Sequence, residues 1–313
     1  MKEELFISGR EIPKIDPLLK IWEFPIALYL FLGGLAAGIL LFSAVVVLLD
    51  KQDKLPASAR WAPVLVPFAL VAGLLALFID LSHKLYVWRL YTTIRIESPM
   101  SWGAWVLLII TPLSILWVLA DINKLFPDLD LKFNWLYRIR DLAIKYRKHL
   151  AWIIIPLSLI LGIYTGILLS AFNARPLWNN AILGPLFLIS GLSTAAAAII
   201  LFAKSSYERH LFSKIDIILI IIEIGLIIHL IMGYYAGNEM QVEAVGILVG
   251  GELTTMFFGI LIILGLIFPL ILEIFELIGY KVPVVIPALL ILVGGLFFRI
   301  LIVEAGQLTR ILY

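Results

Sequence analysis

Cysteine is absent from this 313-residue chain. That excludes disulfides, thiolate metal sites and cysteine-held iron–sulfur clusters within it. Charge is scarce too: Asp, Glu, Lys and Arg supply 15% of the residues, where a soluble domain carries about a quarter. Histidine occurs only at positions 83, 149, 210 and 229. His149 and His210 fall at the edges of apolar runs, so a buried bis-histidine pair of the kind that holds a membrane haem is not expected. The opening stretch MKEELFISGREIPKIDPLLK is too charged for a signal peptide, and no small-residue cleavage site follows it.

Apolar residues are what the chain has in excess. They make up 62% of it, and the mean hydropathy is +1.06. Eight runs reach the roughly 20 residues that a bilayer requires, near 23–49, 61–82, 101–120, 150–171, 181–203, 215–236, 252–275 and 283–305. The expected fold is an all-α integral membrane protein of eight transmembrane helices. An even number places both termini on one side. Lys and Arg favour the odd-numbered connections, above all the one at 121–149 with Lys124, Lys132, Arg138, Arg140, Lys145, Arg147 and Lys148. The positive-inside rule then puts those connections in the cytoplasm and both termini outside. Within 121–149, Leu136, Ile139, Ala143 and Tyr146 recur at helical spacing among basic residues, which predicts an amphipathic helix on the inner membrane surface. No connection is long enough to be a catalytic domain.

GLAAG at 34–38 resembles GLSTA at 191–195, half the chain away. This predicts two four-helix bundles in the same orientation, 23–171 and 172–313, after an outer N-terminal segment 1–22. Gly34 and Gly38 form a small-xxx-small face for close helix approach.

The membrane filters polar residues, so their depth carries information. In this topology Glu23, Tyr29, Asp80, His83, Tyr164, Trp178, Glu252, Arg299, Glu304 and Gln307 all fall toward the outer side. Arg299 is costly in lipid and needs a partner or a wet cavity. It lies about 140° around the helix from Glu304, so the two do not share a face. The expected partners are Asp80, Glu252 or Glu23, with Asp80 favoured because it sits deeper. Such a pair ties helices together, shapes an outer pocket, or does both. Glu223, near the middle of the sixth run, and His229 form a deeper candidate proton relay. With no ligand set for a redox metal, any electron carrier held here is an organic molecule such as a quinone. The competing classes are a secondary transporter or ion channel, and a purely structural membrane anchor. Polar residues at the midplane and on both sides would favour transport.

EFPIALYLFLGGLAAG (23–38), SPMSWGAWVLL (98–108), YTGILLSAFNARPLWNNAILGPLFLISGLSTAAA (164–197) and FFRILIVEAGQ (297–307) resemble the membrane subunit of polysulfide reductase and its relatives, the NrfD/PsrC-like family. That resemblance implies an eight-helix subunit of a prokaryotic cytoplasmic membrane, arranged as two four-helix bundles. It implies electron exchange between menaquinone- or ubiquinone-type quinone and an outer iron–sulfur subunit docked to a molybdopterin catalytic subunit. No haem or iron–sulfur cluster is expected in the chain itself, and its contacts are with membrane lipid and protein, not nucleic acid. By position, the head-group contacts fall on Glu23 and Tyr164. Some relatives are expected to carry His near the first, where this sequence has Glu. Tyr29, Asp80, His83 and Trp178 complete the expected quinone site.

Overall fold

The computed structural model describes residues 22–128 and 133–309. Apart from Trp22, the expected N-terminal segment 1–22 lies outside these residues, as do positions 129–132 of the long connection. Among the described residues there is no strand.

Among these residues, eight helices are long and apolar enough to cross a membrane: α1 Phe24–Leu48, α2 Ala57–Asp80, α3 Pro99–Ala120, α4 Arg147–Ser170, α5 Leu183–Phe202, α6 Ser206–Tyr235, α7 Met256–Ile278 and α8 Val285–Leu308. The protein is a multi-pass membrane protein. Several starts differ from those the hydropathy suggests, that of α6 most. Helix α6 begins nine residues earlier, because Glu208 is not a loop residue. Its carboxylate is fully buried and accepts from the backbone N–H groups of Ala57 (3.1 Å) and Ser58 (2.9 Å), which open α2. These donors have no partner inside their own helix, and a carboxylate suits the positive end of a helix. Helix α2 likewise begins four residues early, through a π-wound turn at Ala57–Trp61. Helix α7 is π-wound over Met256–Ile267, becomes α-helical from Phe268, and stops at Gly279 with φ +106°.

Helix α1 is the most enclosed span. It packs against α2, α4, α5 and α8, while α5 packs against α1, α4, α6 and α8. Helix α3 lies on α4, and α7 on α8. The two glycine stretches noted in the sequence meet at the α1–α5 crossing. A Cβ at Gly38 would lie 2.5 Å from the Ala195 Cβ and 2.7 Å from the Gly191 carbonyl oxygen, and one at Gly191 would lie 2.9 Å from the Gly34 carbonyl oxygen. The backbones touch there because no side chain intervenes.

At the end of the bundle away from the termini, Asp121 takes both Arg60 and Arg147, Asp53 pairs with Arg60, and Lys148 pairs with Asp50. Asp53 is fully exposed, and the Arg60 guanidinium holds its carboxyl below the usual carboxylate range. The long connection contains the helix Asn134–Lys145, with Ala143 buried, Leu136 and Ile139 half-buried, and Tyr146 exposed beyond its end. It packs on α3 and α4.

Candidate functional site

At the end of the bundle that carries the termini, α1, α2, α3 and α4 surround a cavity of about 220 Å³. Its walls are mostly apolar, including Ile26, Leu74, Leu77, Leu107 and Leu168. Its polar groups are few: the hydroxyls of Tyr29, Tyr164, Tyr91 and Ser82, and the carboxyl of Asp80. Tyr29 and Tyr164 are both buried, and their side chains lie close to each other on the cavity wall. Asp80, half-buried at the end of α2, lies within hydrogen-bond reach of the Glu23 backbone at the start of α1.

The local sequence explains why Tyr164 lies in this position. A Cβ at Gly103 would fall 1.9 Å from the Tyr164 Cζ and 2.3 Å from its hydroxyl oxygen. The SPMSWG stretch therefore supplies the glycine on α3 over which the phenol ring lies. The connection after α2 folds over the cavity through the short helix Arg89–Thr92. Burial raises the Tyr91 phenol above its usual value, so it remains a hydrogen-bond donor.

An aromatic layer closes the wall behind Trp22. The Trp22 ring stacks on Trp178 at 5.1 Å and meets Phe172 edge-on at 5.0 Å. The Trp178 indole N–H donates to the Ile302 carbonyl at 2.8 Å and lies over Gly306, where a Cβ would come within 1.8 Å of the indole nitrogen. Gln307 and the Trp22 backbone exchange two hydrogen bonds of 2.7 Å. Arg175 donates to the carbonyls of Gln307 and Thr309, a cation at the negative end of α8. The EAGQ stretch is thus the seat of the aromatic layer.

The residues singled out in the sequence separate into groups. Tyr29, Tyr164 and Asp80 come together in the cavity. Glu23 does not line it but adjoins Asp80 at its rim, and it lines a second cavity of about 370 Å³ between α1 and α8, with Glu304 and Gln307. Trp178 stands one layer behind the wall. His83 is exposed, its ring 6.4 Å from Tyr86, and does not line the cavity. Trp22, Tyr91 and Ser82 line it and were not anticipated. Their positions depend on how the segments beside α1 and α2 fold back, and only the aromatic spacing of YVWRLY hinted at it.

Arg299 corrects an expectation. It pairs with neither Asp80 nor Glu252. Glu252 is exposed, and α2 packs on α1 and α3 while α8 packs on α1, α5 and α7. Asp80 is therefore on the far side of α1. The fully buried guanidinium donates to the Ser190 hydroxyl (2.5 Å), the Phe187 carbonyl (2.9 Å) and the Gly295 carbonyl (3.3 Å). Phe187 and Phe298 offer their ring faces to it at 4.8 and 5.1 Å, a favourable cation–π arrangement when desolvated. The carboxylate that faces it is Glu223 on α6, which also lies within reach of Ser190. His229, the expected relay partner of Glu223, is exposed. Six residues around α6 put it on a different face.

A family model described as "Polysulphide reductase, NrfD" matches residues 14–311. The chain belongs to the NrfD family. It is 30% identical to the C subunit of polysulfide reductase from Wolinella succinogenes over 92% of this chain and 94% of that protein. It is 32% identical to protein NrfD of Escherichia coli K12 over 92% and 96%. An NrfD homolog of Haemophilus influenzae is 28% identical over 92% and 95%. The NrfD family match covers every helix described above.

Proposed function

We propose that the chain is the quinone-reactive membrane subunit of a respiratory oxidoreductase and that the cavity between α1, α2, α3 and α4 receives the head group. The observation that carries this reading is the neighbouring Tyr29 and Tyr164 phenols at the wall of a mostly apolar cavity, with the Asp80 carboxyl on the same lining. An apolar pocket with few convergent polar groups is the form of a small-molecule site. The residues fit a quinone: phenols to donate to an oxygen, a carboxyl to accept a proton, and leucines to enclose a ring and prenyl chain. A bound quinone supplies reversible two-electron, two-proton chemistry. The chain supplies the rest. Tyr164 fixes one oxygen through its hydroxyl, with Tyr29 beside it. Asp80, at the rim, exchanges protons with solvent. Leu74, Leu77 and Leu107 keep water from the ring.

The electron partner is an iron–sulfur subunit, itself docked to a molybdopterin-type catalytic subunit. Leu85, Tyr86, Trp88, Ile94 and Ile96 are exposed on the connection that also carries Tyr91, and this apolar surface is the proposed contact surface for lipid and partner. The setting is the cytoplasmic membrane of a prokaryote, both termini outside, with the spans grouped as two four-helix bundles, 23–171 and 172–313. The name of the Wolinella relative supports a subunit role, since it is one of the chains of polysulfide reductase.

Tyr164→Phe tests the site. It keeps the ring over Gly103 and removes one hydroxyl, so quinone-linked turnover of the assembled complex should fall about tenfold, the effect of losing a hydrogen bond of roughly 1.4 kcal/mol. Unchanged turnover with native quinone removes Tyr164 from the site. Absence of quinone binding to the purified wild-type complex leaves the anchor or transporter as the function.

A further inference from the structure

At the end of the bundle away from the termini, the ends of α1 and α3 and the start of α4 enclose a cavity of about 480 Å³, with the last turn of the helix Asn134–Lys145 on its edge. Four cations line it, Lys124, Lys145, Arg147 and Lys148, against the two carboxyl groups of Asp50 and Asp121. The carboxylates are already taken. Asp121 pairs with Arg147 and lies 3.7 Å from Arg60, and Asp50 pairs with Lys148 at 2.7 Å. Arg147 is held further by the Trp117 ring, 4.6 Å from its guanidinium. Lys124 and Lys145 are exposed and make no ion pair among the described residues. Lysines that only set topology can spread into water. These come from segments far apart in the chain and converge on one concavity, which leaves it with unspent positive charge.

The lining is more than basic. Val47, Ala120 and Ile144 give it an apolar wall. Gln52, half-buried, adds an Oε1 that is shielded from solvent and has no hydrogen-bond partner. An acceptor left so is costly unless a donor reaches it. The site therefore offers ammonium groups to an anion and an acceptor to a hydroxyl, beside apolar surface. Three spans begin or end here, so the cavity stands at the boundary between hydrocarbon and water, the level of lipid phosphates. Tyr146 meets His149 edge-on at 5.8 Å, and Trp152, three residues on and on the same stripe of α4, is exposed. Trp135 and Leu142, seven residues apart on the connection helix, are exposed as well. Exposed Trp and Tyr at this depth belong to the membrane interface, where lysines lay their apolar stems along the surface and turn their charge to the head groups. A free phosphate would meet the ammonium groups alone. A lipid meets the aromatic surface too.

We infer that this cavity binds the head group of an anionic phospholipid whose phosphodiester carries a hydroxyl, the phosphatidylglycerol class. Lys124 and Lys145 take the phosphate, and a head-group hydroxyl donates to the Gln52 Oε1. The acyl chains leave along the exposed side of α4, past Trp152. Bound in this way, one lipid joins the ends of α1, α3 and α4 to the connection helix and holds that helix on the membrane surface. The assignment is independent of the quinone reading.

Native mass spectrometry of the full chain, released from detergent that holds equal phosphatidylglycerol and phosphatidylethanolamine, tests the site. A lysine beside an anionic membrane surface is worth roughly fivefold in binding, so the wild type should retain the anionic lipid about tenfold over the other, and Lys124→Gln with Lys145→Gln should lose most of that preference. Neither lysine is ion-paired, so this variant should melt like the wild type in lipid-free detergent and lack only the rise that phosphatidylglycerol produces by binding the folded state. Lys51→Gln with Lys54→Gln removes the same charge from exposed positions at the same end, outside the lining, and should keep the preference. Equal retention of both lipids by the wild type overturns the proposal and leaves the cavity to an acidic soluble partner. An equal loss in the Lys51 and Lys54 variant also overturns it, because the attraction is then a diffuse field. Displacement of the lipid by millimolar inorganic phosphate, but not by chloride at the same ionic strength, would assign the cations to free phosphate instead. Gln52→Leu should erase a preference for phosphatidylglycerol over phosphatidylmethanol, which has the same charge and no hydroxyl. A wild type without that preference overturns the hydroxyl contact.

Discussion

Arg299 shows how much one side chain can organise. Its charge is solvated by Ser190, two backbone carbonyls, two ring faces and Glu223, drawn from α5, α6 and α8. Arg299→Ala should leave Glu223 without its cation, a loss of about 3–5 kcal/mol for a buried charge. Yield of monodisperse protein in detergent should drop severalfold. Arg299→Lys keeps the charge but not the planar fork, so it should assemble at reduced thermal stability. An alanine variant with wild-type yield and melting temperature would show that the charge is accommodated elsewhere. Glu208 makes a similar case. Glu208→Ala would strand the two N–H groups that open α2, each costing about 1–3 kcal/mol when buried, and should lower the melting temperature more than Glu208→Gln. Gly103→Ala would drive a methyl into the Tyr164 ring. It should reduce turnover at least as far as Tyr164→Phe, as measured on assembled complex.

Among the elements, the α1–α5 crossing is the most constrained. Gly38→Ala would set its Cβ 2.5 Å from that of Ala195, forcing the helices apart at a cost of about 1–3 kcal/mol. Thermal unfolding in detergent should shift down. A shift no larger than that of an alanine at Gly225, which has open space around it, would mean that the crossing yields freely. Helix α7 shows the other limit of local reasoning. Its first half, Met256–Ile267, is uniformly apolar, with no polar face to fix its phase, so nothing in its sequence marks twelve π-wound residues. The winding is tied to packing: Gly265 and Gly294 are so close that a Cβ on the latter would lie 2.6 Å from the Cα of the former. Each π turn takes in an extra residue, which resets the direction of everything after it, Glu273 and Glu276 included.

For the whole molecule, the spans alternate in direction, so the starts of α1 and α3 and the ends of α2, α4 and α8 share one end with the cavity. The Lys and Arg distribution predicts that this end lies outside. A C-terminal reporter that works only in the cytoplasm should therefore stay silent. Strong activity would invert the molecule and open the cavity to the cytoplasm.

The sequence by itself determined the number of spans, their approximate limits, the glycines on which helices close, and the family. These follow from properties that each segment carries alone: its length of apolar residues, its small-residue spacing, its motifs. Tyr29, Tyr164 and Asp80, which line one cavity, were legible as candidates because they are polar groups at one depth in a membrane protein. Tertiary structure decided which polar groups meet. Asp80 and Arg299 lie at depths that suit a pair, yet α1 stands between them, and Ser190, Phe187 and Glu223 take the guanidinium instead. Glu208, which reads as a loop charge, is buried because α6 delivers it to the first turn of α2. Depth is a property of one helix and can be read along the chain. Neighbourhood depends on the order of helices around the bundle and on the rotation of each about its axis, and those are set only when all eight pack together.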